Sequence, residues 1–121
     1  MTLREKQSVF LVNFARLIQY AASLPGCAVT AGELLRTQEQ HDWNRAHGKS
    51  RAARSLHQDK LAGDLCLFVN GVYQREPAAY APLGRYWRGL HPRNRWGGDW
   101  NRNNDWKDEG FSDANHFEMV P

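Results

Sequence analysis

Residues 64–73, DLCLFVNGVY, contain the clearest strand and turn signals in this chain. Apolar side chains occupy every position from Leu65 to Val69, a pattern that predicts a buried β-strand. Asn70-Gly71 is the dipeptide typical of a two-residue hairpin turn, because both residues tolerate a positive φ. The chain then returns through Val72-Tyr73-Gln74, so the stretch predicts two antiparallel strands.

Near the N-terminus, apolar residues recur at helical spacing, which predicts an amphipathic first helix. Thr2 and Glu5 match a capping box, so we expect the helix to begin there. The charged and apolar parts of this segment superficially resemble a secretory signal, but Asn13, Arg16 and Gln19 interrupt the apolar run. We therefore predict a folded helix and no signal peptide.

Four further segments complete the predicted framework. A strand begins at Cys27-Ala28-Val29-Thr30 and extends toward Leu35, whereas the polar stretch 41–54 is interpreted as a loop or short irregular helix. A helix is predicted from Pro77 to Leu90, and residues 117–120 have the pattern of a final short strand. The framework therefore combines antiparallel strands with separate helices.

The composition predicts one soluble globular domain that spans residues 1–121. Hydrophobic residues make up 41% of the chain and charged residues 24%, which excludes a disordered chain, and no apolar run is long enough for a membrane span. The net charge of +3 suits an anionic partner such as nucleic acid or cell-wall polymer, or simply an ordinary solvated surface. Cys27 and Cys66 form no Cys-x-x-Cys motif, so reduced thiols are expected.

Three residues near predicted strand ends have the chemistry of zinc ligands. A catalytic zinc site uses three side chains from His, Asp, Glu or Cys and leaves one position open for water. His57 lies in the turn before the long strand, Asp64 opens that strand, and His116 opens the last one. Strand ends bring residues from distant parts of a sequence to one point and hold their geometry rigidly.

Two sequence signatures resemble those of the VanY-like zinc peptidases. Residues 55–64, SLHQDKLAGD, resemble the pattern S-x-H-x-x-G-x-A-x-D, and residues 113–118, DANHFE, resemble a second pattern with an acidic residue three positions before the last histidine. The family contains D-alanyl-D-alanine carboxypeptidases and dipeptidases, and the L-alanyl-D-glutamate endopeptidases of phage lysis systems. Lys60 stands where the first signature commonly has Gly, so a positive φ at that position would strain the turn.

The resemblance implies an α+β fold, with a small antiparallel sheet flanked by helices, which is shared with Hedgehog signalling domains. It assigns Zn2+ ligation to His57, Asp64 and His116, and general acid/base work to Asp113. Arg36 resembles an arginine that steadies the substrate or the oxyanion in this family. Zinc lowers the pKa of a water molecule to about 7, which allows a carboxylate to take its proton at neutral pH.

Several residues leave alternatives open. Glu118 is the rival to Asp113 as general base, although its position two residues after His116 also suits support of that ligand. Ser55 is interpreted as fixing the turn, because no third group orients a Ser-His pair. The three other histidines are predicted to be solvated: His41, His47 and His91.

Tryptophan and arginine residues are interleaved between Trp87 and Trp106. Such a run can stack nucleobases, line a cleft for glycan or peptide, or pack in the core. We expect Trp87 in the core and Trp96 and Trp100 beside the cleft. No nucleic-acid-binding motif accompanies the basic residues.

The resemblance implies a phage or prophage endolysin, a zinc metallopeptidase that cuts the L-alanyl-D-glutamate bond of the peptidoglycan stem peptide. We expect a monomer with no nucleic-acid or membrane partner, made in the host cytoplasm and active on the bacterial cell wall after release. The alternative within the class is a D-alanyl-D-alanine carboxypeptidase. The alternative outside it is a non-catalytic module that binds nucleic acid or a structural zinc ion.

Overall fold

A computed structural model describes residues 1–50, 54–103, 105–108 and 112–121 of the chain. The helices are α1 (Leu3–Ser23), α2 (Gln38–Ala46) and α3 (Pro77–Leu90), together with a short 3-10 helix at Trp106–Asp108. The strands are β1 (Cys27–Ala31), β2 (Ala62–Val69), β3 (Val72–Tyr73), β4 (Asn94–Trp96) and β5 (His116–Met119). Among the described residues, no helix combines the length and the apolar character needed to cross a lipid bilayer.

The strands form an antiparallel sheet in the order β1-β2-β5-β4, and β3 pairs with the far end of β2. The β2–β3 hairpin turns at Asn70 and Gly71, whose φ values of 50° and 80° are those that a two-residue turn requires. The predicted hairpin and the predicted α+β class are therefore confirmed. Because β2 pairs on both edges, it is the strand that fixes its neighbours in register.

The core lies where α1 and α3 pack against each other and against the sheet. Thr2 and Glu5 form the predicted capping box, in which each side chain accepts a hydrogen bond from the backbone N–H of the other residue. Phe10 and Phe14 of α1 meet the fully buried Trp87 of α3 edge to face. This aromatic packing anchors both helices on the sheet whose strand ends carry the polar site.

Helix α2 forms where the sequence indicated only a loop or an irregular helix. Its buried residues are His41 and Asn44, so no apolar stripe marks the helix in the sequence. The side chain of Thr37 caps the first turn by accepting from the backbone N–H of Gln40, and amide side chains bond across single helical turns. Strand β4 was also not predicted, because three residues are too few to show an alternating pattern.

Candidate metal centre

Strand register brings together the three residues that were predicted as zinc ligands. Asp64 in β2 pairs directly with His116, the first residue of β5. His57 lies in the turn before β2, and a hydrogen bond from Leu61 N to Leu56 O (3.0 Å) closes that turn. Both histidines are buried and the Asp64 side chain is only 16% exposed. The three side chains therefore meet largely away from bulk solvent.

The three donor atoms form a nearly equilateral triangle, called here the ligand triangle. His57 Nε2 lies 3.1 Å from His116 Nδ1 and 3.3 Å from Asp64 Oδ1, and His116 Nδ1 lies 3.2 Å from Asp64 Oδ1. Tetrahedral zinc, with bonds of about 2.0–2.1 Å, requires donor atoms about 3.3 Å apart. Within the described part of the chain, this is the one group of three His, Cys, Asp or Glu side chains close enough to share an ion. The donor set and its spacing fit zinc.

The outward nitrogen of each histidine ring makes a hydrogen bond that sets the tautomer. His57 Nδ1 donates to the carbonyl oxygen of Leu34 (3.0 Å), and His116 Nε2 donates to Glu118 Oε1 (2.7 Å). Carbonyl and carboxylate oxygens only accept, so each neutral ring carries its hydrogen on the outward nitrogen. The lone pair of the other nitrogen is then available inside the ligand triangle, as metal ligation requires.

Burial and hydrogen bonds shift the pKa values of Asp64 and His116 within the ligand triangle. Burial alone would raise the pKa of Asp64, but hydrogen bonds with His116 and His57 hold that pKa below its ordinary value. Burial opposes charging of the His116 ring, yet hydrogen bonds with Asp64 and Glu118 raise the pKa of His116 to about 9. At neutral pH the metal-free triangle therefore holds a proton that an incoming metal ion must displace.

Glu118 contacts His116 on the side of the ring that faces away from the ligand triangle. Its Oε2 accepts from Arg95 Nε (2.9 Å) and Nη2 (2.6 Å), while its Oε1 accepts from the ring. Burial alone would raise the pKa of Glu118, but the hydrogen bond with His116 and the charge of Arg95 hold it below its ordinary value. This geometry suits orientation of His116 better than proton transfer inside the triangle.

Asp113 lies beside the ligand triangle and lines the cleft that opens there. Its Oδ2 is 3.9 Å from His116 Nδ1, and its side chain is 44% exposed. Partial burial is the main cause that raises the pKa of Asp113, against the opposing charge of His116. Two backbone hydrogen bonds hold the segment in place, from Asp113 N to Gly97 O (2.9 Å) and from Gly97 N to His116 O (2.8 Å).

A cleft with a volume of about 480 Å³ opens onto the ligand triangle. Its walls include Asp113, Arg36 and Trp100. The Trp100 ring lies 5.5 Å from the His116 ring, and the Arg95 guanidinium lies over the Trp100 ring at 5.2 Å. Anionic groups at the triangle and cationic groups on the walls give the cleft the mixed charge expected of a site for a polar substrate.

Arg36 enters the same cleft from the segment that follows β1. Its Nε donates to Glu33 Oε1 at 2.7 Å, its Nη2 forms an ion pair with the same oxygen at 2.5 Å, and its Nη1 donates to His41 Nδ1 at 3.1 Å. The Arg36 side chain is only 13% exposed. Sequence reasoning identified Arg36 but missed Glu33 and His41, because nothing in their spacing marks them as partners of this arginine.

Strand β1 ends at Ala31 rather than extending toward Leu35, and the predictions for two side chains are also wrong. His41 was expected to be solvated, but it is fully buried and contacts Arg36. Trp96 was expected beside the cleft, but it is 3% exposed, because its indole packs closely on Gly84 and Gly98. Both errors arise because the neighbouring sequence of a polar or aromatic residue does not show whether distant parts of the chain bury its side chain.

The other side-chain predictions agree with the structure for most residues. Trp87 is in the core, and the Ser55 hydroxyl accepts from the backbone N–H of His57 (3.2 Å), which fixes the turn. His47 is exposed and stacks on its own helix, whereas His91 is partly buried rather than freely solvated. None of these residues enters the ligand triangle.

Lys60 adopts the strained conformation anticipated for a non-glycine residue in the turn after His57. Its φ is +58°, and its backbone N–H points back to the carbonyl oxygen of His57 (3.4 Å). A side chain in the left-handed region costs on the order of 1 kcal/mol. The chain tolerates that cost at the turn that carries a candidate ligand.

Among solved structures, a Serratia marcescens L-Ala D-Glu endopeptidase, ChiX, is similar to this chain. The match has a TM-score of 0.67 and 24% sequence identity, and it covers 91% of this chain and 77% of the other. No protein-family model and no curated protein sequence matches the chain. The likeness shows that the two proteins share their fold.

Proposed function

We propose that this protein is a zinc metallopeptidase that hydrolyses peptidoglycan stem peptides at the L-alanyl-D-glutamate bond, with residues 1–121 as one catalytic domain. The observation that carries the proposal is the ligand triangle of His57, Asp64 and His116 with the Asp113 carboxylate beside it. A catalytic zinc centre needs three ligands, an open position and a nearby base. The shared fold with an enzyme named as an L-Ala D-Glu endopeptidase supports the choice of substrate class and bond.

His57, Asp64 and His116 would hold the zinc ion, since their donor atoms have the required spacing and tautomers. Glu118, fixed by Arg95, would keep the His116 ring in its ligating orientation. Zinc, when bound there, supplies Lewis acidity and lowers the pKa of a water molecule.

Asp113 is the proposed general base and general acid. Its carboxylate lies beside the ligand triangle, lines the cleft and is 44% exposed, so it would be able to take a proton from the attacking water. The same group would then deliver that proton to the leaving amine, a role that its position 3.9 Å from His116 Nδ1 supports. Glu118 is less suited, because both its oxygens already accept hydrogen bonds from His116 and Arg95.

Arg36 is the proposed electrostatic stabiliser. Its guanidinium lines the cleft, and two neighbouring groups limit its motion. Negative charge develops on the carbonyl oxygen as the tetrahedral intermediate forms, and a positive group already in place stabilises that charge without reorganisation.

Digestion of purified peptidoglycan tests the substrate and the scissile bond. Mass spectrometry of the products should find stem fragments with a new D-glutamate amino terminus and saccharide-linked fragments that end in L-alanine. Release of free D-alanine alone would replace the endopeptidase with a carboxypeptidase. Salt-sensitive DNA binding without any wall hydrolysis would instead support a non-catalytic module.

Two variants separate the metal from the base. Asp113→Asn keeps the size of the side chain, so we expect bound zinc and fold to be retained while turnover falls by on the order of 10²–10⁴-fold. His57→Ala removes one corner of the ligand triangle, so zinc should be lost in metal analysis together with activity. Near-normal turnover in Asp113→Asn would eliminate Asp113 as the base.

A further inference from the structure

The segment that carries Arg36 is hydrogen-bonded to two corners of the ligand triangle. Asp64 N donates to the carbonyl oxygen of Glu33 (2.9 Å), and Arg36 N donates to the carbonyl oxygen of His57 (3.3 Å). The backbone of Arg36 is therefore held at a fixed place relative to His57 and Asp64. What remains free to vary is the long side chain, which has several rotatable bonds.

Two side chains remove that remaining freedom. Glu33 Oε1 accepts a hydrogen bond from Nε of Arg36 and forms an ion pair with Nη2, so it occupies one edge of the planar guanidinium. His41 Nδ1 accepts from Nη1 on the other side. These contacts use only part of the donors of a guanidinium, so a further N–H on each terminal nitrogen is left for a ligand in the cleft.

His41 reaches Arg36 from a separate element, helix α2, and is fully buried there. An arginine only donates hydrogen bonds, so the contact at 3.1 Å requires His41 Nδ1 to be an unprotonated acceptor. The ring is therefore neutral in this arrangement, with its hydrogen on Nε2. A neutral acceptor holds the guanidinium without cancelling its charge, whereas Glu33 neutralises part of it.

We propose that His41 and Glu33 are positioning residues that hold the Arg36 guanidinium aimed into the cleft, so that it is in place when the substrate carbonyl oxygen becomes negative. This inference rests on the proposed peptidase function. The group that touches substrate is Arg36, and the other two act through it. The contacts of Glu33 and His41 with Arg36 are called here the arginine clamp. Support from two separate segments is expected where a charged donor must be placed within about 0.5 Å of its productive position.

A double-mutant cycle tests the proposal on a soluble muropeptide that contains the L-alanyl-D-glutamate bond. His41→Leu should lower kcat by about tenfold to a hundredfold with little change in KM, because a misplaced donor costs transition-state stabilisation. His41→Asn should recover most of the loss, since its amide oxygen can stand where Nδ1 stands. In an Arg36→Ala background, His41→Leu should have no further effect.

The proposal would be overturned if His41→Leu lowered kcat by the same factor in the presence and in the absence of Arg36. It would also be overturned if the kcat of His41→Asn were no higher than that of His41→Leu. Glu33→Gln enters the same cycle in case the buried leucine prevents folding, because Glu33 is partly exposed. His47→Leu is the matched control, since His47 is an exposed histidine at the end of the same helix and should leave kcat unchanged.

A readout that does not depend on turnover separates this proposal from the proposed function. In ¹⁵N NMR spectra, the Nη–H signals of Arg36 should be resolved and slow to exchange in the unmodified protein and should broaden in His41→Leu. Unchanged signals would refute the clamp even if the protein hydrolyses peptidoglycan. Broadened signals in a protein that cleaves no wall peptide would uphold the clamp and refute the peptidase.

Discussion

Gly97 is the backbone contact that places Asp113, and its replacement by alanine is the sharpest structural test of the proposed base. A Cβ at residue 97 would overlap the carbonyl oxygen of Asp113 and would stand 3.0 Å from the Cβ of His116. Backbone atoms cannot swing aside as a flexible side chain would, so the segment around Asp113 must shift by on the order of 1 Å. That shift also strains the 2.9 Å hydrogen bond from Asp113 N to Gly97 O.

A displacement of that size costs on the order of 10²-fold in rate when it misplaces a catalytic group. We therefore expect Gly97→Ala to lower kcat/KM for a soluble muropeptide by about a hundredfold. Zinc affinity should fall less than kcat/KM, because His57 and Asp64 lie on other segments. The new Cβ also approaches the Cβ of His116, so turnover is measured at saturating zinc. The assay is steady-state hydrolysis followed by chromatography, paired with metal analysis of the same samples.

Gly89→Ala is the matched control for this substitution. Gly89 lies inside helix α3, and a Cβ there would meet no atom within 4 Å. Alanine should therefore leave turnover unchanged and stabilise the protein by about 0.5–1 kcal/mol. Wild-type activity in Gly97→Ala, with its zinc intact, would refute the argument that Asp113 must occupy its present position.

Three further outcomes follow from the turn and the ligand triangle. Lys60→Gly should relieve the backbone strain of the positive φ and stabilise the metal-free protein by about 0.5–1 kcal/mol. Urea denaturation should then show a higher midpoint at an unchanged slope, and a lower midpoint would contradict the strain. Hydrogen bonds raise the pKa of His116 to about 9, so below that pH zinc must displace a proton from the ring. Chelator competition should therefore show the zinc affinity rising about tenfold per pH unit up to about pH 9. Affinity independent of pH would exclude this protonated state. Glu118→Gln should weaken zinc binding by about 10- to 100-fold without abolishing it. If hydrolysis were lost while the zinc affinity stayed unchanged, the role of general base would pass to Glu118.

Local signals in the sequence were sufficient for several elements. The capping box at Thr2 and Glu5, the Asn70-Gly71 turn and the helix that begins at Pro77 depend on backbone preferences within a few residues. Such preferences act in the same way whatever the rest of the chain does. Helix α2 was indicated only as a loop or short irregular helix for the converse reason, since it is stabilised by polar bonds and a cap rather than by an apolar stripe.

Side-chain types and motif spacing were enough to predict which residues have the chemistry of a zinc site, because both can be taken directly from the chain. Three contacts became known only from the folded protein: Asp64 and His116 meet in register, Glu118 bonds to the outer nitrogen of His116, and His41 is buried against Arg36. These contacts join residues whose meeting depends on strand register and helix packing. Neither is encoded in the neighbouring residues, since both are settled when the whole core closes.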